Sequence, residues 1–368
     1  MPRIDAVVSC PVHDSFRVQQ VAGLFDLPLE KKANASFSVE VPSVEESWQL
    51  GVIVGPSGSG KSTIARTAFG EALAESFDWP SDRAVIDGFG EHSIKEITRV
   101  LTAVGFSSPP AWIKPYAVLS NGERFRCDLA RMLLADRPLV VCDEFTSVVD
   151  RTVARFGSAA VSKAIRSGKV DRRFVAVTCH YDVLEWLEPD WVVDMAVGEL
   201  KRRCLRRPRI ELELVRCQYT AWRLFRSHHY LSGTVNRAAH CYLATWNGEP
   251  VAFCAILALP GRRGHWRVSR IVVLPDYQGI GIGRRVLDAL ARHYQAEQRV
   301  LHITTSHPAM IAALAHSPDW AVSSVKKTGF GVQRGARTGK LNNYVQSVSQ
   351  GRAVVSFRYT SAERERLS

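Results

Sequence analysis

A chain of 368 residues, 46% of them hydrophobic, is long enough for two domains with proper apolar cores. Its net charge of +12 is unevenly placed: residues 1–200 hold 21 Lys+Arg against 27 Asp+Glu, net −6, and residues 201–368 hold 27 against 9, net +18. No apolar run reaches the roughly 18 residues of a membrane span, "MPRIDAVVSCPVHDSF" is not a signal peptide, and eight cysteines without a CxxC pair exclude a disulfide scaffold; a cytoplasmic protein with reduced thiols and no membrane partner is expected.

The first 200 residues read as βαβ units. Strands "GVIVG" (51–55), "LVVCDE" (139–144) and "FVAVTCH" (174–180) alternate with helical stretches "STIARTAFGEALAESF" (62–77), "RFRCDLARMLLAD" (124–136) and "SAAVSKAIRSG" (158–168), predicting a mostly parallel sheet with helices. Between the first strand and helix, "GPSGSGKS" satisfies G-x-x-x-x-G-K-[ST]. Its glycines let backbone N–H groups converge on a β-phosphate, and the helix N-terminus adds positive charge. Lys61 can bridge β- and γ-phosphates, and the Ser62 hydroxyl can hold Mg2+. The candidate nucleotide contacts are Gly55, Ser57, Gly58, Gly60, Lys61, Ser62 and Thr63. At the end of "LVVCDE", Asp143 can hold the metal or its waters and Glu144 can polarise an attacking water.

Taken with "LSNGE" (119–123), Asp150 and His180, these motifs resemble the ATP-binding cassette (ABC) family in their order: Walker A, signature, Walker B, D-loop aspartate and switch histidine. The resemblance implies a homodimer closing over two ATP molecules, Ser120 and Gly122 of one copy touching the γ-phosphate held by Lys61 of the other. Glu123, in place of the signature glutamine, looks like the DNA-repair and chromosome-structure branch. No Q-loop glutamine is evident between Ser62 and Leu119, the interval is short, and Asn121 replaces a glycine, which puts the usual coupling through the helical subdomain in doubt. Phe37 and Trp48 are the candidates for stacking on adenine.

The basic run at 201–209, "KRRCLRRPR", carries a proline that would stop a helix and marks the expected boundary: an ABC-type ATP-binding domain at 1–200, a basic linker at 201–209 and a second domain at 210–368. The second domain has a mixed α+β order. It opens with an amphipathic helix "YTAWRLFRSHH" (219–229), then strands "HCYLATWNG", "EPVAFCAILAL" and "WRVSRIVVL", a helix "IGRRVLDALARHYQ" and a strand "VLHITTS". A zinc site from Cys241 with His228, His229 or His240 has no ligand spacing behind it.

In "SRIVVLPDYQGIGIGRRVLDAL" a buried strand turns at Pro275-Asp276 into a helix starting near Gly283, so successive N–H groups of residues 279–284 can form an anion nest fit for a diphosphate. A dinucleotide fold is disfavoured, because the glycines run G-x-G-x-G and no acidic residue about 20 positions on ends a second strand. Gln278-x-x-Gly281-x-Gly283 instead resembles the [RQ]-x-x-G-x-[GA] loop of the GNAT acyltransferases, over residues 210–325. By that resemblance Gln278, Gly279, Gly281, Gly283 and Arg284 hold the diphosphate of acetyl-coenzyme A or another acyl-coenzyme A, the splayed strand end near Val273 offers N–H groups to the thioester carbonyl, and a general base frees an acceptor amine. The candidate bases are His228, His229, Tyr230, Ser306, His307 and Tyr344; "HHYLSG" resembles a segment of the Mom-type DNA-modifying GNAT enzymes of phages.

Nearly the whole chain thus resembles a family of ABC-type ATPases fused to a predicted acetyltransferase. The expected function is an ATPase and acyltransferase acting on nucleic acid, DNA first, at a base amine, with ATP-driven dimerisation gating substrate engagement. An ATP-gated nucleic-acid clamp with a non-catalytic GNAT-like part, and an acetyltransferase for protein lysine or a small amine, stand as alternatives. The charge of +18 suits a polyanion, though part must serve the coenzyme phosphates and the 201–209 run can be a solvated linker.

Overall fold

The computed structural model describes residues 3–11, 13–25, 32–74, 77–202, 210–229, 234–327 and 353–360; Tyr230, Tyr344 and residues 203–209 of the basic run lie outside them. Residues 1–78 and 128–208 make one compact unit, and residues 79–127 and 209–368 a second.

In the first unit, β1 (Arg3–Pro11) and β2 (Lys32–Glu40) form an antiparallel pair. The main sheet holds β3 (Leu50–Val54), β4 (Leu139–Cys142), β5 (Arg173–Thr178), β6 (Trp191–Asp194) and β7 (Glu199–Lys201) in the order β4-β5-β3-β6-β7, parallel except for β7. β3 and β4 are buried at every residue, as the unbroken apolar sequences "LGVIV" and "LVVC" require of strands covered on both faces. The expected helix at 62–77 stops early, at Phe69. Gly70 opens a 3-10 turn to Ala72, and Leu73 then bridges Val141 in parallel, so pairing along β4 overrides the helical pattern.

The second unit contains a seven-stranded sheet in the order β13-β14-β12-β11-β10-β9-β8, built from β8 (Glu213–Cys217), β9 (His240–Trp246), β10 (Glu249–Ala258), β11 (His265–Val273), β12 (Val300–Thr305), β13 (Trp320–Lys327) and β14 (Ala353–Tyr359). Only β11 and β12 pair in parallel. The helix Ile282–Ala296 buries Val286, Leu287, Leu290 and Tyr294. A second face is covered by Trp222 and Phe225, which pack with Phe253 and Val272. The expected helix at 219–229 is instead two 3-10 turns, Tyr219–Leu224 and Arg226–His228. Trp222 and Phe225 lie three residues apart, a spacing that serves a 3-10 turn as well as an α-helix.

The segment at 79–127 is part of the same unit, where it contacts the helix Pro308–Ala315. Its helix Ile94–Ala103 starts with a capping box, Ser93 and Glu96, and buries Ile97, Val100 and Leu101.

Candidate functional site

In the first unit the three parallel strands β3, β4 and β5 deliver their motifs at one end of the sheet. Val54 pairs with Thr178, and Cys142 with Ala176, so the loop after β3, Asp143–Glu144 after β4 and His180 after β5 all leave the carboxyl ends of neighbouring strands. Gly58 and Gly60 have φ of 79° and 82°, and Gly60 caps the helix Lys61–Phe69. Those left-handed turns aim successive N–H groups into one concavity, and the first turn of the helix adds further amides without intrahelical partners. A Cβ on Gly60 would lie 2.5 Å from the Phe37 ring. Lys61 is buried and donates from Nζ to Pro56 O at 2.8 Å, which folds it over the loop. Ser62 Oγ donates to Asp143 Oδ1 at 3.0 Å. Among the described residues the enclosed Ser59 hydroxyl has no hydrogen-bond partner. A concavity of amides beside a buried ammonium fits a nucleotide triphosphate, and a hydroxyl paired with a carboxylate offers two oxygens to a cation.

Glu144 is exposed and sits in the left-handed region at φ 52°, followed by Thr146 at φ 68°. Two non-glycine residues so placed store strain in the turn after β4, a common mark of a functional loop. The turn is pinned by Phe145 N–H on Val177 O (2.8 Å) and Ser147 on Glu144 O. His180 is partly buried, and its N–H donates to the buried Thr178 hydroxyl at 3.1 Å. Asp150 accepts from Thr152 and Val153 N–H and so caps the helix Arg151–Arg166. Of the two aromatics considered for adenine, Trp48 is core: it meets Trp191 and Phe69 edge-on at 5.3 and 6.4 Å. Phe37 is the one beside the phosphate loop.

The signature residues belong to the second unit. Ser120 is exposed at the start of the helix Asn121–Leu134. Glu123 Oε2 accepts from Ser120 N–H (2.9 Å) and hydroxyl (3.0 Å), and Glu123 N–H returns a bond to Ser120 Oγ (3.3 Å). This reciprocal cap gives Glu123 a local task and holds Ser120 and Gly122 at the tip of the helix.

In the same unit, β11 and β12 pair only over residues 265–268 and 300–303, although β11 continues to Val273 and β12 to Thr305, so the strands part beyond Val268. Leu274 N–H donates to Val251 O on the β10 side at 3.0 Å. Strand alternation therefore turns the Val273 N–H to the opposite edge, into the gap. The loop after β11 has left-handed Gly279 (φ 93°) and Gly281 (φ 98°), the latter capping the helix Ile282–Ala296. Gly283 has a different role: a Cβ there would press on Val273 Cγ2 at 3.3 Å, so this glycine lets helix and strand close up. The Arg284 guanidinium is bound to Asp288, Ala313 O and Ser317 Oγ, so its side chain is engaged within the unit and turned to internal partners. Gln278 also has its side chain engaged, by Ser107 N–H and Val273 O.

Among the candidate bases, His229 is partly buried with its ring edge-on to Trp222, centroids 5.5 Å apart. His228 lies within electrostatic reach of Asp276, in the loop after β11. Burial lowers its pKa, Lys114 lowers it further, and Glu123 and Asp276 oppose them. His307 follows β12 at the open end of the gap, and burial likewise pulls its pKa down, against a hydrogen bond with Ser107 O. Both imidazoles are thereby biased to the neutral form that can accept a proton. Sequence reasoning could not rank these histidines, because their surroundings come from residues 107 to 276 that no local pattern links.

Residues 195–316 match the model of the acetyltransferase (GNAT) family. With the glycine loop and the parted strands, this match gives the chain two parts: a parallel α/β unit that carries a P-loop, and a part similar to the GNAT acetyltransferases. Among known proteins the chain is 25% identical over 137 residues to the ribosome protection protein VmlR of Bacillus subtilis (strain 168); the match takes in 32% of this chain and 24% of that protein, so the chain spans about a quarter of that relative's length. Solved structures similar to it include the dimeric bacterial ABC transporter cassette MJ0796 (17% identity, 46% of this chain and 89% of that one, TM-score 0.36). The ribosomal-protein-S18-alanine N-acetyltransferase of Escherichia coli is another (15% identity, 40% and 93%, TM-score 0.31).

Proposed function

We propose that this protein is an ATP-hydrolysing, coenzyme A-dependent acyltransferase that modifies nucleic acid at a base amine, and that two copies closing over ATP gate the engagement of that substrate. The observation that carries the acyltransferase reading is the pair of left-handed glycines, Gly279 and Gly281, at a helix N-terminus beside the gap into which the Val273 N–H points. Amides of residues 279–284 would hold the coenzyme diphosphate, and the Val273 N–H would stabilise the oxyanion that develops at the thioester carbonyl. His228, His229 or His307 takes the proton of the acceptor amine as the new N–acyl bond forms and the C–S bond breaks, and returns it to the departing thiolate.

On the nucleotide side Lys61 and the amides at 58–62 would hold ATP, with Ser62 and Asp143 its Mg2+, which supplies charge neutralisation on the phosphate oxygens. Glu144 would orient and polarise the attacking water, with His180 beside it. Ser120 and Gly122 of the second copy would complete that site. The nucleic-acid acceptor is supported by the net charge of +18 on residues 201–368 and by exposed Arg223, Arg226 and Arg237 around the turns that lead to His228 and His229. VmlR is a ribosome protection protein, and that likeness points towards RNA-containing partners as readily as towards DNA.

Nucleoside mass spectrometry on DNA and RNA from cells making the protein, its Lys61→Ala form or its Gly281→Glu form tests the reading. A new acylated nucleoside that is lost with Gly281→Glu and reduced with Lys61→Ala is expected. Identical nucleoside profiles for all three would remove the base-modification claim and leave an ATP-gated clamp or an acetyltransferase for protein or small amines.

A further inference from the structure

The open end of the β11–β12 gap is crossed by a chain of hydrogen bonds that uses residues from the segment at 79–127. Gln278 Nε2 donates to Val273 O at 2.8 Å, Ser107 N–H donates to Gln278 Oε1 at 2.6 Å, and Ser107 O lies 3.2 Å from His307 Nε2, which donates to it. The path runs from the last residue of β11 to the second residue beyond β12. Close approach is built into the sequence: Gly105 has φ +88°, and a Cβ there would lie 2.8 Å from Gln278 O. Behind the crossing, Phe106 N–H bonds Leu101 O at 2.8 Å, and Phe106 O accepts from Trp112 Nε1 at 3.0 Å.

The same segment carries the signature turn. Arg126, its side chain 1% exposed, donates to Asp276 O at 3.2 Å and to Gly122 O at 3.5 Å, with Nη1 4.0 Å from Asp276 Oδ1. One guanidinium therefore ties the ATP-sensing turn, Ser120 to Gly122, to the first residues of the coenzyme loop.

We propose that the turn at 105–107 is an inhibitory strap over the thioester slot: acyl-coenzyme A displaces it, and Arg126 makes its release depend on the signature turn. This rests on the reading of residues 279–284 as the coenzyme cradle. A thioester reaching the Val273 edge must displace the Ser107 peptide from between Gln278 and His307, so the free protein holds the slot closed and its affinity is reduced by the fraction that is open. Coupling is reciprocal, so a nucleotide-bound dimer that engages Ser120 and Gly122 loosens the strap and tightens acyl-coenzyme A binding by the factor in which acyl-coenzyme A favours that dimer.

Hydrogen–deuterium exchange on the full chain with acetyl-coenzyme A is the test. Peptides over 279–286 should exchange more slowly while those over 105–112 exchange faster. Protection of both would make the turn a wall of the site and overturn the strap. Absence of protection at 279–286 would remove the cradle reading itself, and the strap with it. In Ser107→Pro, which lacks the donated N–H, acetyl-coenzyme A should bind about fivefold tighter, the scale of one lost hydrogen bond, with ATP affinity unchanged; equal or weaker acetyl-coenzyme A binding would contradict the proposal. Adding ATP should raise exchange at 105–112 in the wild type and leave it unchanged in Arg126→Leu; equal responses would exclude Arg126 as the link.

Discussion

Gly60 and Gly281 perform the same local task in two unrelated loops: each sits at a left-handed φ, 82° and 98°, as the cap of the helix that follows. A side chain at such a position costs about 1–2 kcal/mol, so Gly281→Ala should weaken acetyl-coenzyme A binding about tenfold while ATP binding is unchanged, both read by calorimetry. Asp190 illustrates a charge with a structural duty. Its carboxylate accepts from Gln49 and Leu50 N–H (2.8 and 2.9 Å) and from Arg166 (2.9 Å) at the entry to β3. Burial pushes its pKa up, but these donors outweigh burial and hold it below the ordinary 3.8. A depressed folded pKa contributes stability that is full above that ordinary value and is lost as pH falls through the folded one. Asp190→Asn should therefore lower stability by about 1–2 kcal/mol at neutral pH, and the gap to wild type should narrow on acidification below about pH 4; a pH-independent gap in denaturant melts would exclude the charge. At this scale the glycines and Lys61 were legible because backbone geometry demands them. The placements of Trp48 in the core and of the Arg284 and Gln278 side chains in internal bonds were not, since each depends on partners far along the chain.

Among the elements, the βαβ order, the three strands that end in motifs and the strand-loop-helix at 265–296 could all be read from apolar runs and glycine spacing. The turns at 219–228 could not. Trp222 and Phe225 at i and i+3 suit an α-helix and a 3-10 turn alike, and packing on Phe253 decides. Trp222→Ala should cost about 3–5 kcal/mol, as for other buried tryptophans, and should disorder His229, whose ring it flanks; a Tm within 2 °C of wild type, against the several degrees such a loss implies, would contradict that packing. The segment at 79–127 showed the signature residues Ser120, Gly122 and Glu123 to sequence reading, but not the cap that Glu123 makes with Ser120. Its engagement with the coenzyme loop through Ser107 and Arg126 left no sequence trace, because backbone N–H and C=O groups carry no residue identity.

For the whole molecule, the charge division is the broadest clue to a partner: net +18 on residues 201–368 against −6 before them. No helix among the described residues is long and apolar enough to cross a membrane. Affinity for nucleic acid built on Arg and Lys should fall steeply with salt, by about 10³-fold or more between 50 and 200 mM for six or more phosphate contacts; salt-independent binding would move the acceptor away from polyanions. All of this depends on one chemical assignment, that the amides around Gly281 hold the diphosphate of acyl-coenzyme A. Calorimetric titration of acetyl-coenzyme A into the full-length protein tests it most directly. Saturable heat that Gly281→Glu abolishes while ATP still binds is the predicted result, and no heat from folded, ATP-binding wild type is the result that would contradict it.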